Sequence, residues 1–109
     1  MRRASWSLSA ALAVAIAAFP AAAEPASAPS AQRQAELANL LDHDCGSCHG
    51  LTRRGGLGPA LTAVALADRD DDFLADTILH GRHGTPMPPW NGELTRADVR
   101  WLVDRLRGR

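Results

Sequence analysis

The sequence predicts an all-α fold with three main helices, one short helix and no sheet. Three segments repeat apolar residues at three- and four-residue steps, as one face of an α-helix does. No segment shows the apolar–polar alternation of a half-buried strand. Residues 45–49 read Cys-Gly-Ser-Cys-His, the C-x-x-C-H signature by which a c-type haem is attached. We therefore expect the helices to pack around one covalently bound haem.

The first 23 residues have the pattern of a secretory signal peptide. Arg2 and Arg3 are followed by an apolar run, Leu8–Phe19, and then by the small-residue site Ala21–Ala23. The run is shorter than the ~20 residues that a membrane-spanning helix needs, so we expect no stable membrane insertion, and a retained anchor is the weaker alternative. We expect cleavage after Ala23 and export to the periplasm, which agrees with haem c attachment outside the cytoplasm.

Residues 24–31 are small and polar and include two prolines, which predicts a flexible tether. Residues 32–109 are then long enough for one domain. A domain of this size buries only ~60–65% of its unfolded surface and is marginal alone. A covalently fixed, largely apolar macrocycle would enlarge its core, so the small size agrees with the haem prediction.

The first helix is predicted to begin at Ala31, with Ser30 as its N-cap. Its apolar stripe consists of Leu37, Leu40 and Leu41. Residues 46–59 hold five glycines and one proline, and this composition predicts a loop. The alanine-rich segment 61–67 is expected to form the short helix.

Asp70 is the predicted N-cap of the second main helix, which ends at Gly81. Residues 82–91 contain three prolines and are predicted to be irregular. The third main helix is predicted to begin at Thr95, with Asp98 three residues later in a capping-box position. Its apolar face consists of Val99, Leu102, Val103 and Leu106.

The motif assigns three residues to the haem. Cys45 and Cys48 are expected to form thioethers to the porphyrin, and His49 is expected to be an axial ligand of the iron. A C-x-x-C pair has three other interpretations: a dithiol redox site, an inert disulfide, or a zinc site completed by His80 and His83. The chain has two cysteines, so a zinc site with four cysteine ligands is excluded.

Met87 is the candidate for the second axial ligand. Pro86 and Pro88 stiffen the chain on either side of it, and a weak thioether ligand benefits from a loop that is already ordered. The alternatives are that His83 is the ligand, or that Met87 fills a gap in the apolar core. A haem with His and Met ligands has both axial positions filled, so we expect one-electron transfer and no enzyme activity.

Nearly the whole chain after the signal peptide resembles class I cytochrome c. The resemblance rests on the order of the C-x-x-C-H motif, Gly58-Pro59-Ala60-Leu61, Thr85-Pro86-Met87-Pro88-Pro89-Trp90 and a final amphipathic helix. Residues 78–90 are also similar to the small NirC-type cytochromes, which are associated with a dissimilatory nitrite reductase that carries c- and d-type haems. By this resemblance residues 32–109 are a cytochrome c domain.

The resemblance implies a periplasmic mono-haem electron carrier, which we expect to be a monomer. A quinol-oxidising complex is the expected donor, and a periplasmic reductase of denitrification is the expected acceptor. The carbonyl of Pro59 would accept a hydrogen bond from His49, and Leu61 would line the haem pocket. The candidates for contact with a haem propionate are Arg53, Arg54 and Trp90.

Two other functions stay open at this point. One is an accessory role in maturation of the nitrite reductase haem, which the NirC-type resemblance suggests. The other is a haem sensor or peroxidase, in which the sixth ligand would dissociate.

The chain departs from the class I pattern at its helix contacts. Leu37 and Leu41 stand where that family usually has a small residue and an aromatic one. Arg105 stands where an aromatic residue is usual, with Trp101 nearby. We therefore expect the packing of the first helix on the last to differ in detail from the family pattern.

Charge is balanced overall but unevenly distributed. The chain has 12 basic and 12 acidic side chains, which leaves no strong basic excess for binding nucleic acid. Aspartates cluster in residues 68–76, and arginines cluster in residues 96–109. These clusters predict either two solvated helix faces or a dipole that steers docking.

Overall fold

The computed structural model describes residues 14–19 and 27–109, and it confirms the all-α prediction. In chain order, its helices are α1 (Ala31–Leu40), a π-helical turn (Leu41–Cys45), α2 (Gly46–His49), α3 (Asp71–His80) and α4 (Arg96–Arg107). Within these described ranges there is no strand. None of the described helices has the length and the apolar character needed to span a membrane.

The N-terminal predictions fall largely outside the described residues. Of the predicted signal peptide, only residues 14–19 are described, and the cleavage site after Ala23 is not among them. The predicted tether is described from residue 27 onward, and it runs directly into α1. The side-chain amide of Gln34 donates to the carbonyl of Pro29, 2.9 Å away, so the end of the tether is held against the first turn of α1.

The three main helices begin at the predicted caps. The Ser30 side chain accepts from a backbone N–H of the first turn of α1, and Asp70 does the same for α3. At α4, Thr95 and Asp98 form a complete capping box, in which each side chain accepts from the other residue's backbone N–H. These caps satisfy backbone donors that have no partner inside the helix.

The position of the short helix differs from the prediction. Residues 62–69 form successive turns instead of a helix, held by bonds such as Leu66 N to Thr62 O at 3.0 Å. The segment is too short to repay helix nucleation, whereas extending the existing α1 costs less. The helical path therefore continues from α1 through the cysteine motif to His49, and the predicted loop at residues 46–59 begins only after it.

One widened turn separates α1 from α2. The N–H of Gly46 donates to the carbonyl of Leu41, five residues earlier, which is the π-helical pattern. The wide turn lies immediately before the motif and contains Cys45 as its last residue. Leu41 remains buried in the core while Cys45 reaches the core's edge.

The core lies between α1, α3 and α4. Its buried side chains are Leu37, Leu41, Leu66, Leu74, Ala75, Leu79, Leu94, Val99, Leu102, Val103 and Leu106. Leu37 is fully buried where the class I pattern usually has a small residue. At the edge of the core, the guanidinium of Arg105 lies 5.5 Å from the centre of the Trp101 ring, a cation–π distance.

The acidic and basic clusters face each other across the α3–α4 contact. The ion pairs are Asp76–Arg96, Asp72–Arg100, Asp71–Arg107 and Asp71–Arg109, at 2.6–2.8 Å. The side chains of the Asp76–Arg96 and Asp72–Arg100 pairs are 48–73% exposed, which agrees with solvated helix faces, and the pairing argues against a separated dipole. Their charges compensate one another locally.

A second ionic contact joins α1 to α4. The guanidinium of Arg33 donates to both carboxylate oxygens of Asp98, at 3.0 and 3.3 Å, and to the carbonyl of Glu93 at 3.1 Å. The side chain of Asp98 is only 7% exposed. The hydrogen bond from Arg33 is the main cause that lowers the pKa of Asp98, so the carboxylate is ionised where it caps α4.

Candidate functional site

The two cysteines lie on one helical turn. Cys45 ends the π-helical turn and Cys48 lies three residues later in α2, so both belong to the same side of the helix. Cys45 is half-buried against the core and Cys48 is exposed, and both are free thiols. Two thiols so placed can each form a thioether to the same porphyrin.

The environment of Cys45 disfavours the thiolate form of this cysteine. Burial is the main cause that raises the pKa of the Cys45 thiol to about 11, and the neighbouring Asp44 carboxylate adds to it. Redox-active C-x-x-C pairs depend on a cysteine whose pKa is lowered, because the thiolate is the nucleophile. Cys45 has the opposite shift, so it is not suited to be the nucleophile of such a pair.

The imidazole of His49 has a defined orientation. The residue is 9% exposed, and Nδ1 of its ring lies 2.7 Å from the carbonyl oxygen of Pro59. A carbonyl oxygen only accepts, so Nδ1 carries the hydrogen and donates it. In the neutral ring this tautomer leaves a free lone pair on Nε2, which is the state that a metal-binding histidine needs.

Gly58 lies directly against the imidazole ring of His49. A Cβ atom on Gly58 would lie 2.8 Å from the ring atoms Cε1 and Nδ1. The N–H of Gly58 donates to the carbonyl of Cys48 at 2.8 Å, which fixes the loop in this position. Glycine is needed here for close approach, a requirement that the sequence analysis missed because it treated the glycines of this segment as turn formers.

The Met87 loop is attached to the end of α3. The N–H of Trp90 donates to the carbonyls of Ile78 and Leu79, both at 3.1 Å, and these carbonyls would otherwise lack a helical partner. The N–H of Arg82 donates to the carbonyl of Met87 at 3.2 Å and so closes the loop. Met87 is half-buried, whereas the rival ligand His83 is exposed.

The candidates for propionate contact differ in their surroundings. Arg53 has a positive φ of 59° and donates from its guanidinium to the Asp42 carboxylate at 2.8 Å. Arg54 is exposed, and Trp90 packs against the core together with Leu61. The ion pair joins Arg53 to the π-helical turn.

The described residues give the zinc interpretation no support. Within residues 14–19 and 27–109, no three His, Cys, Asp or Glu side chains come together in a group that could hold a metal ion. His80 and His83, the proposed partners of the cysteines, are both exposed.

The donors present fit a covalent haem. The two thiols and the imidazole with its free Nε2 lie on one continuous helical segment. Large apolar side chains on the following segments are exposed: Leu51, Leu57 and Val64, with Leu57 at 95%. Singly exposed apolar side chains are common on protein surfaces, so the fit rests on the two thiols and the imidazole.

Comparison with known proteins gives the family. A family model described as "Cytochrome C oxidase, cbb3-type, subunit III" matches residues 32–104. Cytochrome c55X of Stutzerimonas stutzeri is 59% identical over 81 residues, which cover 74% of this chain and 72% of that protein. This chain is a c-type cytochrome. Accordingly, it binds haem c covalently, and it belongs with small electron-transfer cytochromes.

Solved structures agree with this family. The c-type cytochrome NirC is 57% identical with a TM-score of 0.72, and the match covers 73% of this chain and 94% of that one. Dihydro-heme d1 dehydrogenase NirN, in complex with DHE, is 36% identical with a TM-score of 0.60. That match covers 64% of this cytochrome but only 15% of NirN. The resemblance to small NirC-type cytochromes is thereby confirmed.

Proposed function

We propose that this cytochrome is a periplasmic one-electron carrier whose haem iron is held between His49 and Met87. It would receive electrons from a quinol-oxidising complex and pass them to the nitrite reductase of a denitrification chain. The observation that carries the proposal is the hydrogen bond between His49 Nδ1 and the Pro59 carbonyl at 2.7 Å, because it leaves Nε2 free for a metal.

On the His49 side, the chain both holds and orients the ligand. Cys45 and Cys48 would attach the macrocycle through thioethers, and the Pro59 carbonyl fixes the tautomer of the ring and increases its basicity. When bound, haem c supplies one-electron transfer between ferric and ferrous iron.

On the Met87 side, the loop is ordered by its own backbone. The bond from Arg82 N to Met87 O and the bonds from Trp90 N to the end of α3 fix the loop at both ends. A weak thioether donor in such a loop does not have to lose chain entropy each time it coordinates. A Met ligand also raises the reduction potential, which suits acceptance of electrons from a quinol-oxidising complex.

The place in metabolism rests on similarity and on the N-terminal pattern. The 57% identity to NirC supports a link to nitrite reduction. The basic and apolar pattern of residues 1–23 supports export to the periplasm. Docking to each redox partner would be weak and transient, because electron-transfer encounters use small interfaces.

The axial ligand can be tested by comparing Met87→Ala with His83→Ala in the exported holoprotein. Oxidised Met-ligated haem has a weak far-red charge-transfer band, and we expect Met87→Ala to lose it, to lower the reduction potential and to bind carbon monoxide. His83→Ala should keep the parent spectrum. A Met87→Ala protein with the parent's band and potential would show that Met87 is not the ligand, and loss of a parental six-coordinate spectrum in His83→Ala would assign that role to His83.

A second function has one observation in its favour. The match to NirN, a dihydro-heme d1 dehydrogenase, supports an accessory role in maturation of the nitrite reductase haem. Deletion of the gene separates the two functions. A carrier's loss leaves the reductase with its full haem content but without electrons, whereas an accessory protein's loss leaves a reductase that lacks its special haem.

A further inference from the structure

Gly81 ends α3 in contact with the backbone of the Met87 loop. A Cβ atom at this position would lie 2.7 Å from the carbonyl oxygen of Met87, and 2.8 Å from both Pro88 C and Pro89 N. All three are backbone atoms, so no side-chain rotation relieves the contact. Gly81 also has a φ of 68°, which L-residues with a side chain rarely adopt.

The loop has little freedom to move away from such a Cβ atom. Prolines fix φ at residues 86, 88 and 89. Immediately after them, the N–H of Trp90 donates to the carbonyls of Ile78 and Leu79, and the N–H of Asn91 donates to Leu79 as well. A side chain at residue 81 would therefore have to displace the backbone at Met87 or break these bonds.

We propose that Gly81 is a positioning residue that sets the place of Met87. The absence of a side chain lets the end of α3 and the Met87 backbone approach to a distance that only glycine permits. This inference rests on the proposed role of Met87 as an axial ligand, and it adds the requirement that the ligand's position depends on a residue that never touches the metal.

Gly84 provides a matched control within the same loop. Its φ of 75° is close to that of Gly81, but a Cβ atom there would meet nothing within 4 Å. Gly84→Ala thus carries the conformational cost of a positive φ without the steric contact. Gly81 has in addition a ψ of −168°, a region that essentially only glycine adopts. Amide exchange at Arg82 and Trp90 is therefore the measurement that ties a difference between the two alanine variants to the Met87 loop.

The experiment compares the full-length holoproteins of the parent, Gly81→Ala and Gly84→Ala after export. The measurements are the covalent haem content, helical circular dichroism, the far-red band of the oxidised form, carbon monoxide binding, and amide hydrogen exchange at Arg82 and Trp90. We expect Gly81→Ala to retain covalent haem and helicity, to lose the band, to bind carbon monoxide, and to exchange faster at both amides. Gly84→Ala should match the parent in all of these.

Two results would overturn the proposal: parent-like band and exchange in Gly81→Ala, or equal loss in Gly81→Ala and Gly84→Ala. If the parent itself lacks the far-red band, the Met87 ligation proposed above fails, and the exchange measurement still decides the role of Gly81. In that case, unchanged exchange at Arg82 and Trp90 overturns the proposal, and faster exchange in Gly81→Ala alone supports it.

If Gly81→Ala does not accumulate, a double variant takes its place in the test. Gly81→Ala combined with Pro88→Gly restores freedom of φ to the loop, so the backbone can yield to the new Cβ atom. We expect this double variant to accumulate with covalent haem and without the far-red band. Failure of the double variant to accumulate, or a parental band in it, would contradict the proposal.

Discussion

Replacement of Gly58 by alanine should destabilise the cytochrome through contact with the His49 ring. The new Cβ atom would lie 2.8 Å from ring atoms Cε1 and Nδ1, whereas ordinary contact begins at 3.4 Å. The ring or the loop must therefore move by about 0.6 Å, which a close-packed environment resists. The movement would either stretch the 2.7 Å bond from His49 Nδ1 to Pro59 O or loosen the 2.8 Å bond from Gly58 N to Cys48 O.

The size of the effect follows from these two terms. Overpacking of a well-packed site costs about 1–3 kcal/mol, and a weakened hydrogen bond costs about 0.5–1.5 kcal/mol. We expect Gly58→Ala to lower the free energy of unfolding by roughly 1.5–4.5 kcal/mol. A loss of this size moves the thermal midpoint of a small domain by several degrees per kcal/mol.

The assay is urea unfolding of the oxidised holoprotein, with Gly92→Ala as the control. A Cβ atom at Gly92 would meet nothing within 4 Å, and neither Gly58 nor Gly92 has a positive φ, so the two substitutions differ in the contact with His49. Gly92→Ala should lie within about 0.5 kcal/mol of the parent. Equal unfolding free energies for Gly58→Ala and Gly92→Ala would refute the argument that Gly58 is needed for close approach.

Three further outcomes are expected. Asp98→Asn should lower the unfolding free energy by about 1.5–3 kcal/mol, because it weakens the charge-assisted hydrogen bonds from Arg33 and the N-terminal cap of α4. A urea midpoint equal to that of the parent would contradict this expectation. The pKa of Asp98 is lowered in the folded state, so its stabilising contribution is present above the unfolded pKa of about 3.9 and is lost as pH falls through the folded pKa. The parent should therefore lose stability on acidification more steeply than Asp98→Asn, and parallel pH profiles would exclude this linkage. Mass analysis of the exported protein should give a chain that begins at Glu24 and carries one haem, and an intact N-terminus on the exported chain would exclude cleavage.

Features that depend on neighbouring residues in the chain were predictable from the sequence. The caps at Ser30, Asp70 and Thr95 were predicted correctly, because a cap is a contact between residues two or three apart. The covalent haem followed from a pentapeptide for the same reason. The short helix was misplaced because helix length depends on the cost of nucleation, which the composition of residues 61–67 does not reveal.

The charge clusters carried a signal that the sequence analysis did not use. Asp72 and Asp76 are four residues apart on α3, and Arg96 and Arg100 are four residues apart on α4. Each pair therefore forms a stripe on its own helix. The observed pairing of Asp76 with Arg96 and Asp72 with Arg100 requires the two helices to run antiparallel. Opposite stripes of equal spacing, on helices joined by one loop, predict such a ladder.

The glycines show why the rest of the site was not predictable. In the sequence, Gly58, Gly81, Gly84 and Gly92 are all loop or helix-end glycines, and their neighbours do not show which distant atoms each one approaches. In the structure, Gly58 lies against the His49 ring and Gly81 against the Met87 backbone, whereas Gly84 and Gly92 face open space. The distinction depends on which distant atom approaches the missing Cβ, and that is fixed only when the helices have packed. Gly58 and Gly81 each adjoin one of the two proposed axial ligands, so the positions of both ligands depend on close approaches that a single methyl group would prevent.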